Sequence, residues 1–538
     1  MTRQTTCGEA LVRLLERRGV DTVFGIPGVH TLDLYRGLAA SNIRHVLVRH
    51  EQGAGFMADG YARTSGRPGV CFVITGPGVT NIATPMGQAY SDSIPMLVIS
   101  TVRATADLGD NFGRLHEITD QRSATAPLTA FSATAMSPDE VPELINRAFE
   151  VFDSARPRPV HIEIPLDVAA MPVDGDWTPA DASRPAAPSV ETLSAAASVL
   201  GDAETPVIIA GGGAIECAVQ LPRLAEILGA PVITTVAGKG LMPADHPLNL
   251  GATLPRAETQ EIIGQADAVL AIGTELAETD TWVERLPLKG RLVRCDIDPD
   301  QINAAYTADA TVLGDAVAAL DGIIEQLAGQ RANDRSGAED QVRAARQALA
   351  DSETELARGH RRVLDVLAAA LPDDAAVYTD MTQIAYTGNE IYDAPRPRSW
   401  FHPNGYGTLG YALPAAIGGK LANPGMPAVA LAGDFGFQFT VQDLIVAAEL
   451  GLHMTVMVWN NDALGQIRDD MIDKGIDKVG VEGRNPDFRL LAEAYGANYL
   501  QPTGPEGLAA DLARSLSEPG LWFMEIRQSD FVPAPERL

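Results

Sequence analysis

Three doubly wound α/β domains are what this sequence predicts, and two observations carry that expectation. Short apolar runs of strand length alternate with stretches of helical spacing along nearly the whole chain, the pattern of parallel sheets with helices on both faces. Two stretches poor in such patterning, residues 171–190 and 329–341, divide the alternation into units spanning residues 1–170, 191–330 and 358–538. A chain of 538 residues with 46% hydrophobic content has the size and core material for about three such units.

In the first unit GEALVRLLERRG reads as a helix stopped by Gly19. DTVFGIPG is a strand running into a Gly-Pro turn, and a helix begins at Asp33 and runs to Leu38. HVLVRHE reads as a strand ending at Glu51, GAGFMADGYAR as a helix, and GVCFVITGPG as a strand entering a glycine turn. QAYSDSIPMLVIS and PVHIEIP complete the alternation. MPVDGDWTPADASRPAAPSV is rich in Pro, Ala and Asp and reads as a linker. The second unit contributes the strands PVIIAGGG, PVITT, AVLAIGT and RLVRCDID, and GQRANDRSGAEDQ reads as a polar second linker. The third unit opens with a helix, then AVYTD, then the Gly-rich NGYGTLGYALPAAIGG. It shares a strand plan with the first unit but no obvious sequence repeat.

The most informative stretch runs from Ala428 to Gly465. AVALAG and MTVMVW have the continuous apolar character of buried parallel strands. TVQDLIVAAEL between them reads as a helix, so this is a βαβ unit with a right-handed crossover. Asp434 ends the first strand, and Asn460 and Asn461 end the second. Parallel strand ends share one edge, where ligands bind. The carboxylate and the amide oxygen therefore come together although a whole crossover separates them in sequence. Oxygen donors of this kind beside phosphate suit Mg2+.

Composition narrows the function. A net charge of −29 argues against nucleic acid and anionic membranes as partners. Cys7, Cys71, Cys217 and Cys295 are scattered without metal spacing and read as small core residues in a reducing compartment. The N-terminal pattern is an amphipathic helix rather than a signal peptide, and no apolar run approaches a membrane span. A cytoplasmic protein is expected.

The Asp434 to Asn461 stretch resembles the GDG…NN motif of thiamine diphosphate enzymes, and the three-unit order resembles that family over essentially the whole chain, the acetolactate synthase large-subunit group in particular. The resemblance implies a pyrimidine-binding first domain, a central domain and a diphosphate-binding third domain, with Asp434, Asn461 and the backbone carbonyl of Ala463 as metal ligands. Gly433, Phe435, Gly436, Leu464 and Gly465 then line the cofactor. Phe435 departs from the pattern, since the motif has a second Gly there for a tight turn; Gly436 is the residue expected to take over that turn.

The segment VRHEQGAGFMADGYAR resembles the family's catalytic glutamate segment. By that resemblance Glu51 shares a proton with the pyrimidine ring nitrogen and so drives the cofactor's amino group to the imine that takes the thiazolium C2 proton. A low-dielectric setting raises a carboxyl pKa and favours such sharing. Leu409, in GYGTLG, takes the position of the apolar wedge that forces the cofactor's rings together, a form of positioning catalysis, and the Gly407 carbonyl that of the aminopyrimidine acceptor. TGPGVTN (Thr75 to Asn81) is placed beside the pyrimidine and the dimer partner. Gly25, Pro27 and Gly28 line the site and leave Val29 and His30 facing the reacting atoms. His116 stands where the synthases carry Gln. His30 and His116 are candidates for proton delivery, with a structural role as the alternative for each.

Two departures from the synthases bear on the reaction. The segment whose arginines help hold FAD and a substrate carboxylate is replaced by Glu275, Leu276, Ala277, Glu278 and Thr279, so FAD is not expected. After Asn461, the Trp that selects the second substrate is replaced by Asp470, in Leu464-Gly465-Gln466-Ile467-Arg468-Asp469-Asp470. Gln466, Asp469 and Asp470 thus become substrate candidates. A carboxylate there pairs well with a guanidinium; the alternative is a solvated helix face. WNNDALGQIRDDM also looks like 5-guanidino-2-oxopentanoate decarboxylases. The resemblance implies thiamine diphosphate- and Mg2+-dependent decarboxylation of a small-molecule 2-oxo acid, first the guanidino acid, with acetolactate-type carboligation as the alternative. It also implies a homodimer or homotetramer whose active sites lie between subunits.

Overall fold

A computed structural model describes residues 4–328 and 335–533 of the chain. Its frame is three all-parallel six-stranded sheets flanked by helices. The first sheet holds β1 (Thr22–Gly25), β2 (Arg44–Leu47), β3 (Gly69–Val73), β4 (Met96–Val102), β5 (Phe131–Thr134) and β6 (Val160–Pro165), in the order β2-β1-β3-β4-β6-β5. The second holds β7 (Pro206–Ala210), β8 (Val232–Thr234), β9 (Asn249–Gly251), β10 (Ala268–Ile272), β11 (Arg291–Asp296) and β12 (Ala310–Leu313), in the order β12-β11-β10-β7-β8-β9. The third holds β13 (Ala376–Thr379), β14 (Trp400–Phe401), β15 (Ala428–Gly433), β16 (Met454–Asn460), β17 (Asn498–Leu500) and β18 (Leu521–Arg527), in the order β14-β13-β15-β16-β18-β17.

The first and third sheets therefore have one and the same strand order. In each, the order reverses beside the first strand of the unit, between β1 and β3 and between β13 and β15. Such a switch point opens a crevice at the carboxyl ends of the strands. Gly25 and the Thr75 turn lie at the first switch point; Asp380 and Asp434 lie at the second.

These two units share a core. Helix Glu51–Ser65 packs on helix Ala412–Ala422, and Phe56, Met57, Ala415, Ile417 and Phe437 join one apolar cluster. The backbones meet so closely that a Cβ on Gly60 would lie 2.0 Å from the Ala415 carbonyl oxygen, and one on Gly418 would lie 1.8 Å from that of Met57. Glycine is required at both places for steric room rather than for φ. Beside this contact Arg63 is buried between Asp59 and Asp92, each at 2.6 Å, and the Tyr411 hydroxyl donates to Asp59. The central unit reaches the third through Lys239, whose ammonium donates to the carbonyl of Asn389 at 2.8 Å. That carbonyl lies in the last turn of helix Gln383–Ile391, where a cation is favoured by the helix dipole; burial nevertheless pushes the Lys239 pKa down to about 8.

Several elements differ from the sequence expectation. Glu51 does not end a strand. β2 stops at Leu47, and Glu51 is the first residue of the helix running to Ser65, capped by His50, whose ring accepts from the Gln52 amide. The crossover after β15 is not one helix. A short helix (Asp434–Gln438), a 3-10 turn (Val441–Asp443) and a second short helix (Leu444–Glu449) replace it. The break falls at Thr440, whose φ is −133° and whose hydroxyl donates to the Gly410 carbonyl at 2.8 Å, so a neighbouring loop bends the crossover. Part of the second linker is helical, Ser336–Asp351; its residues 329–334 lie outside the described residues. The strands β5, β9, β12, β14, β17 and β18 are additions to the sequence reading. All four cysteines are free and buried. Among the described residues no helix is long and apolar enough to cross a membrane.

Candidate active site

The edge of the third sheet gathers one set of candidate residues. β15 and β16 are paired neighbours, with Gly433 opposite Trp459, so Asp434 and Asn461 follow adjacent strand ends. Asp434 is 1% exposed. Its carboxylate accepts from its neighbour's amide, Phe435 N, at 3.0 Å and from Asn485 Nδ2 at 2.7 Å. Burial pushes its pKa up to about 6, and nearby Asp462 adds to the shift. The bonds to Asp434 thus come from neutral groups, and the neighbouring charge has the same sign. This is a buried carboxylate short of a cation. Asn461 Oδ1 accepts from the Ala463 amide at 3.2 Å, and Asn461 Nδ2 donates to Gln383 Oε1 at 3.3 Å. One carboxylate, one amide oxygen and the Ala463 carbonyl make an all-oxygen set able to hold Mg2+. No cluster of three or more His, Cys, Asp or Glu side chains fit for a metal occurs among the described residues.

The surroundings of this set form a cradle. A Cβ on Gly433 would lie 2.9 Å from Thr382 Oγ1, and one on Gly465 would lie 2.3 Å from Gln383 Oε1. Helices Gln383–Ile391 and Gly465–Asp473 begin there, and helix N-termini favour phosphate. Phe435 occupies its place without strain. Neither it nor Gly436 has a positive φ, and Phe435 packs under the return loop, where a Cβ on Gly483 would meet its ring at 2.8 Å. Gly436 therefore makes no left-handed turn; it gives room to Asp380, whose carboxyl carbon would lie 3.3 Å from a Cβ there. Leu464 is bound through its amide to the Val481 carbonyl at 2.8 Å.

The Leu409 loop is fixed from two sides. Gly410 N donates to both Asp380 oxygens, at 3.1 and 3.0 Å, and burial raises the Asp380 pKa to about 6. The Thr408 hydroxyl donates to Gln88 Oε1 at 2.9 Å and Gly405 N to Asp92 at 2.7 Å. Leu409 is half-buried, and Gly407, at φ 65°, is exposed.

A second set lies at the edge of the first sheet. Glu51 is 6% exposed in the first turn of its helix, and its Oε2 accepts from Asn81 Nδ2 at 2.9 Å. A Cβ on Gly78 would lie 3.3 Å from Glu51 Oε1, so the Thr75 to Asn81 turn lies against the carboxylate. The Thr75 hydroxyl donates to the Thr101 carbonyl at 2.9 Å. In the GIPG turn, Gly28 N donates to Thr31 Oγ1 at 2.9 Å, and Gly25 and Gly28 abut Phe72 and Ile74 of the neighbouring chain segment. Pro27 lies within this turn, and Val29 is 62% exposed beyond it. The rings of His30 and His116 meet edge to face, centroids 5.2 Å apart, and each has a buried Nδ1 without a hydrogen-bond partner. Burial, then His116 and Arg103, lowers the His30 pKa. Among the described residues no hydrogen bond joins Glu51 to the Asp434 set.

On helix Gly465–Asp473, Asp469 is turned inward. It accepts from Gln383 Nε2 at 2.8 Å and from Arg468 Nε at 3.0 Å. Asp470 and Gln466 are exposed, and Gln466 Nε2 donates to Asp470 at 3.0 Å.

Three conserved-fold descriptions match the chain in the same order as its sheets: the N-terminal binding domain of thiamine pyrophosphate enzymes over residues 5–124, their central domain over 193–323, and their C-terminal binding domain over 380–526. The chain belongs to the thiamine pyrophosphate enzymes. Within them it is 56% identical over 527 residues to the probable 2-ketoarginine decarboxylase AruI of Pseudomonas aeruginosa, covering 97% of this chain and 94% of that one. It is 30% identical over 544 residues to the acetolactate synthase isozyme 1 large subunit of Escherichia coli, covering 98% and 94%. It is 31% identical over 549 residues to the probable acetolactate synthase large subunit of Methanocaldococcus jannaschii, covering 98% and 92%.

Sequence reasoning missed three residues of this thiamine pyrophosphate enzyme. Asn485 bridges Asp434, Asn460 and Asp462 from a loop without periodicity. Gln383 touches both Asn461 and Asp469; its place three residues after AVYTD, at the start of a helix, was the available signal. Asp443 is fully buried, its pKa pushed up by burial to about 7, and a Cβ on Gly53 would lie 2.3 Å from its carboxylate.

Proposed function

We propose that this chain decarboxylates a 2-oxo acid with thiamine diphosphate and Mg2+, and that the acid is 5-guanidino-2-oxopentanoate, giving 4-guanidinobutanal and CO2. What carries the reading is the near full-length likeness to a probable 2-ketoarginine decarboxylase, which far exceeds the likeness to the synthases. Thiamine diphosphate, when bound, supplies the electron sink that takes up the pair left as CO2 departs.

The chain's own residues then divide the work. Asp434, Asn461 and the Ala463 carbonyl hold the metal, and Gly433, Phe435, Gly436, Leu464 and Gly465 shape the diphosphate cradle. Glu51, oriented by Asn81, holds a proton at its carboxyl for the pyrimidine ring nitrogen. Gly25, Pro27, Gly28 and Thr75 wall that side; Gly407 and Leu409 set the ring geometry. Decarboxylation loses CO2 and places one proton on the former carbonyl carbon. His30 and His116, with unsatisfied ring nitrogens, are suited to deliver it. Glu51 and the metal set stand on different sheets, so the reading pairs one subunit's Glu51 with another's metal set, in a homodimer or homotetramer. Exposed apolar side chains on both units, Phe112 and Leu115 on the first and Phe439 and Ile467 on the third, are surface for such a partner. The protein works in the cytoplasm.

Asp470 takes the guanidinium end, with Val29, Gln466 and Asp469 around it. Asp469 already serves Gln383 and Arg468, whereas Asp470 is exposed. A charge-assisted hydrogen bond contributes roughly 1.5–3 kcal/mol. Asp470→Asn is therefore expected to lower kcat/KM for the guanidino acid about ten- to a hundredfold and to leave an uncharged 2-oxo acid of similar length nearly unaffected. If Asp470→Asn and Asp469→Asn both keep the guanidino preference, these carboxylates have no part in recognition.

FAD has no place in this reading. A cavity of about 720 Å3 lies between the first and central units and the loop at Asn404. Arg156 and Arg158 both turn onto Glu275, at 2.6 and 3.3 Å. Asp280 stands beside them, its pKa raised to about 7 by burial, Asp92 and Glu275. Glu275 thus already engages Arg156 and Arg158, which leaves them less free to hold a diphosphate. The purified protein is expected to show no stoichiometric flavin absorption band; such a band would revive the synthase reading. The function itself is tested by CO2 release across pyruvate, branched, aromatic and guanidino 2-oxo acids.

A further inference from the structure

We infer that Gln121 is a positioning residue that locks the Gly76 turn to the chain segment carrying His116, so that Glu51 and His116 keep one mutual geometry. The inference rests on the decarboxylase reading for what those two groups do. Gln121 is 2% exposed, and its amide is saturated. Its Oε1 accepts from Gly76 N at 2.8 Å. Its Nε2 donates to Ser100 Oγ, the Thr101 carbonyl and Glu163 Oε2, each at 3.0 Å. The anchors are themselves held. Glu163 Oε1 accepts from the Thr134 hydroxyl at 2.6 Å, and His161 Nε2 pairs with Ser100 Oγ at 2.8 Å. One side chain thereby ties β4 and β6 to the turn after β3, with β5 joined through Glu163 and Thr134.

That turn needs holding. Gly76 has φ 69° and precedes helix Pro77–Ser91 without any side-chain cap. A Cβ there would lie 2.4 Å from the His116 carbonyl oxygen, so the His116 backbone lies across the turn. His116 itself has φ 63°, a left-handed conformation that a non-glycine residue keeps only when its surroundings fix it. Asn81, early in the same helix, carries the hydrogen bond to Glu51. Loss of the Gln121 amide would leave the buried Gly76 N–H and one oxygen of the buried Glu163 carboxylate without their partner at the point where both candidate groups are set.

The test compares wild type, Gln121→Met, and the exchange Gln121→Glu with Glu163→Gln, which returns an amide donor facing a carboxylate. Turnover is measured per cofactor-loaded site on whichever 2-oxo acid the wild type uses fastest. Hydrogen exchange at the Gly76 amide is measured in cofactor-free protein. Gln121→Met is expected to lose about a hundredfold in kcat, the scale of a small misplacement, with KM and cofactor affinity little changed and with faster Gly76 exchange. The exchanged pair is expected to recover most of both. Unchanged kcat per loaded site in Gln121→Met, or an exchanged pair as slow as Gln121→Met, overturns the inference. A wild type inactive on every 2-oxo acid refutes the decarboxylase reading instead, and the Gly76 exchange rates still decide whether Gln121 locks the turn.

Discussion

Glu51→Gln is expected to fold and to bind thiamine diphosphate, yet to turn over 2-oxo acids about 10²–10⁴-fold more slowly, the range that a positioned proton-transfer group contributes. Folding is kept because the glutamine amide can still offer an oxygen to Asn81, which donates to Glu51 at 2.9 Å. It also keeps its place in the first helical turn, though it gives up the modest gain of a carboxylate near the helix N-terminus. What is lost is a group that can share a proton with a ring nitrogen, since an amide does not ionise. Cofactor affinity by calorimetric titration and kcat by CO2 release separate the two effects. A near-normal kcat in this variant removes Glu51 from the chemistry.

Asp434→Ala is expected to weaken Mg2+ and thiamine diphosphate together, by more than the about 10- to 100-fold that losing an outer-shell partner of a metal ligand costs. The carboxylate is buried and held by Asn485 and the Phe435 amide, and burial raises its pKa to about 6. Asn485→Ala, which removes the orienting partner alone, is expected to fall within that 10- to 100-fold range. Calorimetric titration of the cofactor with and without Mg2+ checks both. Unchanged affinity in Asp434→Ala takes Asp434 out of the metal site.

Much of the frame was legible because it rests on local pattern. The runs AVALAG and MTVMVW contain no polar residue that breaks a buried strand, so β15 and β16 and the placing of Asp434 and Asn461 at adjacent strand ends followed from parallel pairing alone. What escaped the sequence depends on tertiary contact. The crossover after β15 has helical spacing, but Thr440 is drawn to the Gly410 carbonyl, a partner thirty residues away that no local pattern announces. Glu51 looked like a strand end because its helix is capped by His50, outside the usual Ser, Thr, Asp and Asn set. Ser336–Asp351 carries good helix formers, and its polarity hid them. Asn485 and Gln121 sit in segments without periodicity, and their roles arise only once distant strands place Asp434 and Gly76 beside them.

Whether this thiamine pyrophosphate enzyme decarboxylates a guanidino 2-oxo acid and releases the aldehyde is decided by product analysis after incubating the purified protein, thiamine diphosphate and Mg2+ with 5-guanidino-2-oxopentanoate and, separately, with pyruvate. CO2 and 4-guanidinobutanal are expected in equal amounts from the first acid, at a kcat/KM well above that for pyruvate; acetolactate as the main product from pyruvate, with no aldehyde from the guanidino acid, would overturn the decarboxylase reading.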